Sequence, residues 1–223
     1  MAGQLQRHEA PADMAGAGSL VDLRFRNLLA REDWDLLPLP TRARFSKRLS
    51  DGATVVYVGE VFETRLHPVG RFFAQIARLL GGPLPLFTDA HVPAIVTVTE
   101  DMGTGGQIWT RLYARRNGFP QVIQSSKNFM GPTGLEEVVG GGVGMALTIH
   151  RVDGALQFRS LHYFYRVGRL RMTLPRWITP GALTVTHREN GDGRFVFTLE
   201  VVHPLFGLIV AQRAIFRDAW SGG

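Results

Sequence analysis

The chain has 223 residues, no cysteine, and 25 Lys and Arg residues against 19 acidic ones, for a formal net charge of +6. The absence of cysteine excludes a disulfide framework, a thiol nucleophile and any thiolate metal site. No apolar run reaches the roughly 18 residues of a membrane-spanning helix, since residues 205–216 are interrupted by Gln212 and Arg213, so we expect a soluble, cytoplasmic protein.

The N-terminus mixes charged residues with Ala, Gly and Pro and lacks the apolar core of a signal peptide. We predict a flexible tail over residues 1–18 and a single β-rich domain over residues 19–218. Ser19 is expected to cap a short helix that ends before Pro38. The sequence Asp33-Trp34-Asp35 resembles a metal-binding motif but follows no strand, so we interpret it as exposed acids around a buried Trp and expect no metal.

The first strand and the clearest helix follow each other. A β-branched and aromatic run predicts a strand over Thr54–Leu66, with Gly59 as a candidate bulge. From Pro68 to Leu80, apolar residues recur at helical spacing on one face: Val69, Phe72, Phe73, Ile76, Leu79 and Leu80. A basic amphipathic helix of this kind either lies on a membrane surface or packs on a sheet, and we expect packing.

After Leu86 the chain alternates apolar and polar residues between turn signals, without any βαβ pattern. This pattern predicts about nine or ten antiparallel strands. The predicted fold is therefore α+β: a strongly curved antiparallel sheet of about nine strands forms a half-barrel around the long helix from Pro68 to Leu80.

A glycine-rich turn after the second strand predicts a hairpin. If the loop centres on Thr104, Arg111 faces Thr97 and lies between Trp109 and Tyr113 on one face of the sheet. A guanidinium in such a setting meets a carboxylate or phosphate in a pocket, or stacks on aromatic rings at a solvated face.

The sequence Asp153-Gly154 is a strong signal for a two-residue hairpin. It places His162 at the end of an apolar face, through three predicted pairs: Ile149 with Phe158, Leu147 with Ser160, and Met145 with His162. A histidine there serves as a general base inside a cavity, or is a core residue bonded to a carbonyl.

The signatures of common enzyme classes are absent. No G-x-G-x-x-G follows a strand, no G-x-S-x-G elbow occurs, and no close histidine pair suggests zinc. We therefore expect no cofactor. Arginines mix with aromatic residues from Tyr165 to Trp177, but no nucleic-acid-binding module accompanies them, so we do not expect nucleic acid as a partner. Arg176 joins Trp109, Arg111 and Tyr113 as a candidate ligand-binding residue.

Five segments occur in a characteristic order: Leu37-Pro38-Leu39-Pro40 with Arg42 and Arg44, the helix from Gly70 to Leu80, Trp109-Thr110-Arg111, Leu174 to Pro180, and His203 to Gly207. Together they resemble the bacterial family known as domain of unknown function 4166 (DUF4166), over about residues 20–218. The resemblance implies a stand-alone protein or a partner of a nucleotide-dependent reductase-like domain, and small-molecule metabolism that includes lipids. It implies no catalytic residues.

Three functional hypotheses result, and whether the protein is an enzyme stays open. In the first, the concave face of the sheet binds a small apolar or amphiphilic acid whose headgroup meets Arg111 or Arg176. In the second, the same cavity is a cofactor-independent isomerase, cyclase or dehydratase site with His162 as acid or base. In the third, residues 204–210 form an edge-strand patch that docks on a separate reductase or an anionic membrane, unless this segment is core.

Overall fold

The computed structural model describes residues 21–49, 52–81 and 83–220. Within these ranges the strands form one antiparallel sheet. They are β1 (Thr54–Leu66), β2 (Val92–Asp101), β3 (Gly106–Tyr113), β4 (Gln121–Asn128), β5 (Glu136–Gly140), β6 (Val143–Val152), β7 (Ala155–Val167), β8 (Leu170–Thr173), β9 (Ala182–Gly191), β10 (Arg194–His203) and β11 (Gly207–Asp218). Ten of them close into a barrel because β6 pairs with β7, while β8 extends the sheet beside the end of β7.

The helices of the described chain are short. They are α1 (Arg31–Asp35), α2 (Leu39–Phe45) and α3 (Pro68–Ala77), with 3-10 turns at Arg26–Leu28, Arg78–Leu80 and Arg176–Ile178. The predicted cap Ser19 lies outside the described residues. Where one helix was expected before Pro38, the chain forms a 3-10 turn and the short helix α1, and α2 follows after Pro38. Trp34 is buried within α1, as predicted. No helix among the described residues is both long and apolar enough to cross a membrane.

The predicted half-barrel around one long helix is wrong. Strands make up 53% of the described residues and helix 16%, and the sheet closes on itself. Closure removes both free edges, so the interior is filled by side chains of the sheet itself. The helix α3 lies across one end of the barrel, and Phe72, Ile76 and Leu79 from its predicted apolar face are exposed.

Strand directions define two ends of the barrel. We call the end at which β1 leads into α3 the mouth; the turns after β5, β7 and β10 lie there too. The opposite end, the base, carries the turns after β2, β6 and β9. The helix α2 packs against β9 and α1 against β6, which places the N-terminal segment at the base.

An aromatic cluster closes the base. The ring of His187 on β9 stacks on Phe195 at 4.8 Å and meets Phe45 of α2 edge-on at 5.2 Å. The Arg44 guanidinium lies 3.9 Å from the centre of the Phe195 ring, and its Nη1 donates to Glu189 Oε1 at 2.6 Å. The Glu189 carboxylate and the face of Phe195 thus compensate for the charge of Arg44, while Arg44 Nε and His187 Nδ1 have no hydrogen-bond partner within the described residues.

The hairpin of β6 and β7 confirms two of its three predicted pairs, Ile149 with Phe158 and Leu147 with Ser160. The third is wrong, because a bulge leaves Leu161 unpaired and shifts the register by one residue. Tyr163 therefore lies opposite Met145, and His162 lies opposite Ala146. A one-residue shift moves every later side chain to the other face, so His162 is not on the apolar inner face.

The hairpin of β2 and β3 also differs from its prediction by one residue. Asp101 pairs with Gly106, so the loop has four residues, and Arg111 lies opposite Val96 rather than Thr97. Trp109 and Tyr113 share a face with Arg111, and all three line the barrel interior.

The strand that contains residues 207–210 lies between β1 and β10, so the sheet edge on which the third hypothesis depends does not occur at this segment. Gly59 keeps a continuous register with β2 and β11, and the irregularity of β1 lies between Val61 and Glu63 instead. Gly59 has a different role: a Cβ atom at this position would lie 1.9 Å from Ile215 O, so glycine permits the close approach of β1 and β11.

Candidate functional site

A cavity of about 210 Å³ occupies the barrel interior between the base cluster and α3. Phe45 and Phe158 lie at its floor, and Phe73, Ile76 and Leu80 cover it from α3 and the turn that follows. Its walls are mostly apolar, with side chains such as Val96, Trp109, Ile123, Met145, Leu174, Ile178, Leu183, Val185, Phe197 and Leu199. Such a lining suits an apolar molecule.

One group of polar side chains faces this apolar space, and we call it the inner charge cluster: Arg111, Ser125, Lys127 and Glu137. Lys127 Nζ lies 2.7 Å from Glu137 Oε2, and Ser125 Oγ donates to Glu137 Oε1 at 2.6 Å. Arg111 donates from Nη1 to Ser125 Oγ at 3.1 Å, and its Nη2 lies 3.4 Å from Glu137 Oε1. Three adjacent strands, β3, β4 and β5, position the four residues side by side.

The electrostatics of the inner charge cluster are set by burial and by two cations. Burial alone raises the pKa of Glu137, but the charges of Lys127 and Arg111 outweigh it and lower this pKa to about 2. Burial lowers the pKa of Lys127, as does the Arg111 charge, and Glu137 opposes both effects. With Lys127 protonated, the cluster carries two positive charges and one negative charge.

A further polar group of the cavity lacks a partner. Tyr163 lines the cavity from β7, and its hydroxyl, which is buried, has no hydrogen-bond partner within the described part of the chain. Burial raises the pKa of the Tyr163 phenol, and the nearby Ser160 hydroxyl offsets this only in part. The phenol is therefore neutral, and it lines the same cavity as the inner charge cluster, where its hydroxyl can donate to a ligand.

The structure brings three of the five predicted site residues together and separates the other two. Trp109, Arg111 and Tyr113 line the cavity, and Trp109 also lies 5.1 Å below Lys127 Nζ. Arg176 is exposed in a 3-10 turn at the mouth, where its neighbours rather than its own side chain line the cavity. His162 does not line the cavity either.

His162 belongs to a second charged group on the outside of the wall, the outer charge cluster. Its Nε2 lies 3.3 Å from Arg171 Nη2, and Arg171 pairs with Glu136 at 2.8 Å. Arg166 pairs with Glu136 from the other side at 2.5 Å. Because Glu136 and Glu137 are consecutive in β5, their side chains project to opposite faces, and each carboxylate meets two cations.

The residues that sequence reasoning missed are Lys127, Glu137, Ser125 and Tyr163. Two signals were present in the sequence. Lys127 and Ser125 share the alternation of Ile123 along β4, so all three point inward, and two consecutive glutamates in a strand require one of them to face the core. Tyr163 carried no such signal, because the bulge that turns it inward leaves no mark in the sequence.

The described residues contain no group of three or more His, Asp or Glu side chains that could hold a metal ion. The cavity itself presents a cationic and hydrogen-bonding cluster in an apolar space. Such a site can bind an anionic or hydrogen-bond-accepting group while apolar walls hold the remainder of a ligand.

A comparison with curated proteins finds no match, and a comparison with solved structures finds none either. The sequence profile of one family, described as domain of unknown function (DUF4166), matches residues 37–216. That range runs from the approach to α2 almost to the end of β11, and it includes every residue of the inner charge cluster. The chain belongs to the DUF4166 family.

Proposed function

We propose that the barrel interior binds a small amphiphilic molecule with an acidic headgroup. The headgroup meets Arg111 and Lys127, and the apolar part extends along the cavity toward α3. The observation that carries this proposal is the excess of positive charge in the inner charge cluster, which lies in an otherwise apolar cavity.

The charge balance favours an anion over a neutral headgroup. A buried cation is stable when a counter-charge and hydrogen bonds compensate for its lost hydration. Glu137 compensates for one of the two cations, and its nearer contact is with Lys127, at 2.7 Å against 3.4 Å for Arg111. A carboxylate from a ligand would supply the missing charge to Arg111, and the Tyr163 hydroxyl would donate a further hydrogen bond.

The cavity volume restricts the size of this ligand. At about 210 Å³ it is somewhat smaller than the roughly 300–1,000 Å³ of typical ligand sites. A compact acid fits inside, and a longer chain would project past Ile76 and Ile178 at the mouth. Medium-chain carboxylic acids and short isoprenoid acids have the required combination of one anionic end and an apolar body.

We assign the contact with the ligand headgroup to Arg111 and not to Arg176, because of these two arginines only Arg111 lines the cavity. The enzymatic alternative with His162 as acid or base has no observation in its favour, since the imidazole lies on the outer face beside Arg171. Binding is the function that the geometry supports.

The test compares two ligands and two arginine variants. Decanoic acid and decan-1-ol share an apolar chain and differ in the headgroup, and isothermal titration calorimetry measures the Kd of each. We expect the wild-type protein to bind the acid at least about tenfold more tightly than the alcohol, since one charge-assisted contact contributes at least about 1.4 kcal/mol.

Arg111→Met should remove this preference, because the inner cation is lost while the apolar walls remain. Arg166→Met is the matched control: this arginine also pairs with a β5 glutamate but lies on the outer face, so the variant should keep the preference. Equal binding of acid and alcohol by the wild-type protein would contradict the headgroup assignment. No uptake of either ligand, with native mass spectrometry showing an empty protein, would contradict binding in the cavity altogether.

A further inference from the structure

The mouth of the barrel exposes a group of large apolar side chains around the cavity, and we call it the mouth surface. It comprises Phe72 on α3, Leu79 in the 3-10 turn that follows α3, Trp177 and Ile178 in the 3-10 turn before β9, and Leu205 and Phe206 in the turn between β10 and β11. Leu79 is 87% exposed and Trp177 79%. Large apolar groups at such exposure cost solubility unless another surface covers them.

These three segments are neighbours in space. The Phe73 ring of α3 lies 5.9 Å from His203, and His203 lies 5.0 Å from Phe206. Ile178 lines the same cavity as Ile76 of α3. The exposed apolar side chains therefore surround the cavity opening, and the patch is continuous with the apolar interior.

The charges of the mouth segments are all of one sign. Residues 68–80, 168–180 and 203–208 contain no Asp or Glu, and they contain five arginines: Arg71, Arg78, Arg169, Arg171 and Arg176. Two acidic side chains of adjoining segments pair with arginines, Glu63 with Arg65 and Arg213, and Asp89 with Arg115.

The base carries charges of both signs. Its helix α1 and its turns contain carboxylates such as Asp33, Asp35 and Asp101, but the same end also contains Arg31, Arg42, Arg44, Arg151 and Arg188. Asp33 pairs with Arg151, and Asp35 pairs with Arg31 and Arg42. Because the mouth segments present arginines without acids and the base presents ion pairs, an anionic surface would attract the mouth more strongly than the base.

We propose that the mouth surface docks on an anionic lipid membrane, with α3, Trp177 and the β10–β11 turn inserted at the headgroup level. A bilayer surface accepts protruding apolar side chains without a complementary shape, and its phosphates match Arg71, Arg78, Arg169 and Arg176. Arg171 is already paired with Glu136. Trp and Arg are residues that favour this interface. Docking in this orientation would open the cavity toward the membrane, so an amphiphilic ligand need not cross water.

This inference goes beyond ligand binding and is tested separately from it. Sedimentation with vesicles of phosphatidylcholine and phosphatidylglycerol measures bound protein at low and at physiological salt, beside vesicles of phosphatidylcholine alone. We expect binding to the mixed vesicles, weak binding to the neutral ones, and a marked decrease with salt. Leu79→Glu and the double variant Arg71→Glu/Arg78→Glu should each lower binding by at least about tenfold.

Matched controls lie at the base. Met102 is 86% exposed in the turn after β2, and Arg31 is exposed at the start of α1, so Met102→Glu and Arg31→Glu should bind vesicles as the wild-type protein does. Because all these side chains are exposed, the Tm of each variant should be close to that of the wild-type protein. The measurement of Tm therefore checks that each variant folds. Arg111→Met should also bind vesicles normally, which separates failure of docking from failure of ligand binding.

Three outcomes would overturn the proposal. The first is no sedimentation with mixed vesicles at low salt. The second is an equal loss of binding in the mouth and base variants, which would indicate net charge alone. The third is a dimer in light scattering that Leu79→Glu dissociates, together with no vesicle binding, which would identify a second copy of this chain as the group that covers the mouth.

Discussion

The two ends of the barrel are closed in different ways. Each end must close a ring of strands whose interior is apolar. The base does so with fully buried aromatic rings, and there the buried Arg44 guanidinium meets Glu189 and the face of Phe195. The mouth does so with the ten-residue helix α3, of which only Gly70 and Ala74 are buried.

The difference indicates where stability and function reside. At the base, apolar area is removed from water and the buried Arg44 guanidinium is paired with Glu189, so this end contributes to the folding free energy. At the mouth, Phe72 and Leu79 remain in water and the cavity below them is open to a ligand. A segment with few buried contacts opens at low free-energy cost, which is the property that a cover over a binding site needs.

The largest expected effect is a difference in folding stability between alanine substitutions of two phenylalanines of β10. Phe195 and Phe197 lie two residues apart on one face of β10, with ring centres 5.4 Å apart, but Phe195 is fully buried at the base and Phe197 lines the cavity. Phe195→Ala should lower the free energy of unfolding by about 3–5 kcal/mol, the cost of an unfilled aromatic site. Chemical denaturation measures this loss.

Phe197→Ala serves as the comparison because it removes the same ring from a site that already faces open space. It should cost less stability than Phe195→Ala, and it should enlarge the cavity, so that longer carboxylic acids bind more tightly than in the wild-type protein. Equal destabilisation by the two substitutions would show that the cavity end is packed as firmly as the base, against the distinction drawn above.

The next effect is a dependence of stability on pH that originates at the base. Burial, with a contribution from the Arg44 charge, lowers the pKa of His187 from 6.5 to about 3. Below about pH 6.5 the His187 imidazole is therefore protonated in the unfolded chain, whereas in the folded chain it stays neutral until about pH 3. The free energy of unfolding must consequently fall as the pH decreases through this window.

For one group this linkage amounts to about 2–3 kcal/mol between neutral pH and pH 4.5. His187→Gln cannot take up the proton, and it should flatten this part of the curve of unfolding free energy against pH, although its stability at neutral pH is lower. An unchanged slope in the variant would show that His187 is not the source of the acid sensitivity.

Much of the strand pattern was predictable, but the closure of the sheet was not. Hairpin signals such as Asp153-Gly154 act between neighbours in sequence, and there the prediction is confirmed, with positive φ angles at both turn residues. Closure depends on the pairing of β1 with β11, strands that begin more than 150 residues apart in the chain. Nothing local in either strand specifies a distant partner, so an open half-barrel and a closed barrel have the same sequence pattern.

In the candidate site, too, local features were predictable and pairings between distant segments were not. That Arg111 shares a face with Trp109 and Tyr113 followed from their alternation, a local property of one strand, but the alternation left open whether this face is the inner one. The pairing of Arg111 with Glu137 was not predictable, because it needs the order of β3, β4 and β5 across the sheet. The face of His162 was predicted wrongly because a single bulge at Leu161 reverses it.

The exposure of α3 has a related cause. The spacing of its apolar residues predicts one buried face. A helix that lies across the end of a barrel, however, has only a narrow line of contact below it, so Phe73 and Ala77 face the cavity while Phe72 and Leu79 remain outside. Periodicity reports that a helix has an apolar face, but it does not report the shape of the surface that the face meets.

The smallest expected effect tests whether α3 opens independently of the barrel. Gly70 lies where α3 crosses β11, and a Cβ atom there would be 2.1 Å from the backbone oxygen of Ile209. Gly70→Ala must therefore displace the helix from the strand, at a cost of about 1–3 kcal/mol. If the mouth is the weakly held end, this cost is confined to α3. Amide hydrogens of residues 69–77 should then exchange faster, those of β9 and β10 near the base should not change, and decanoic acid should dissociate faster.

Gly103→Ala at the base is the matched control, since its added Cβ would lie an ordinary 3.4 Å from Asp101 and its backbone angle needs no glycine. Faster exchange throughout the barrel in Gly70→Ala would mean instead that α3 and the sheet unfold as one unit, and the mouth would then be as integral to the fold as the base.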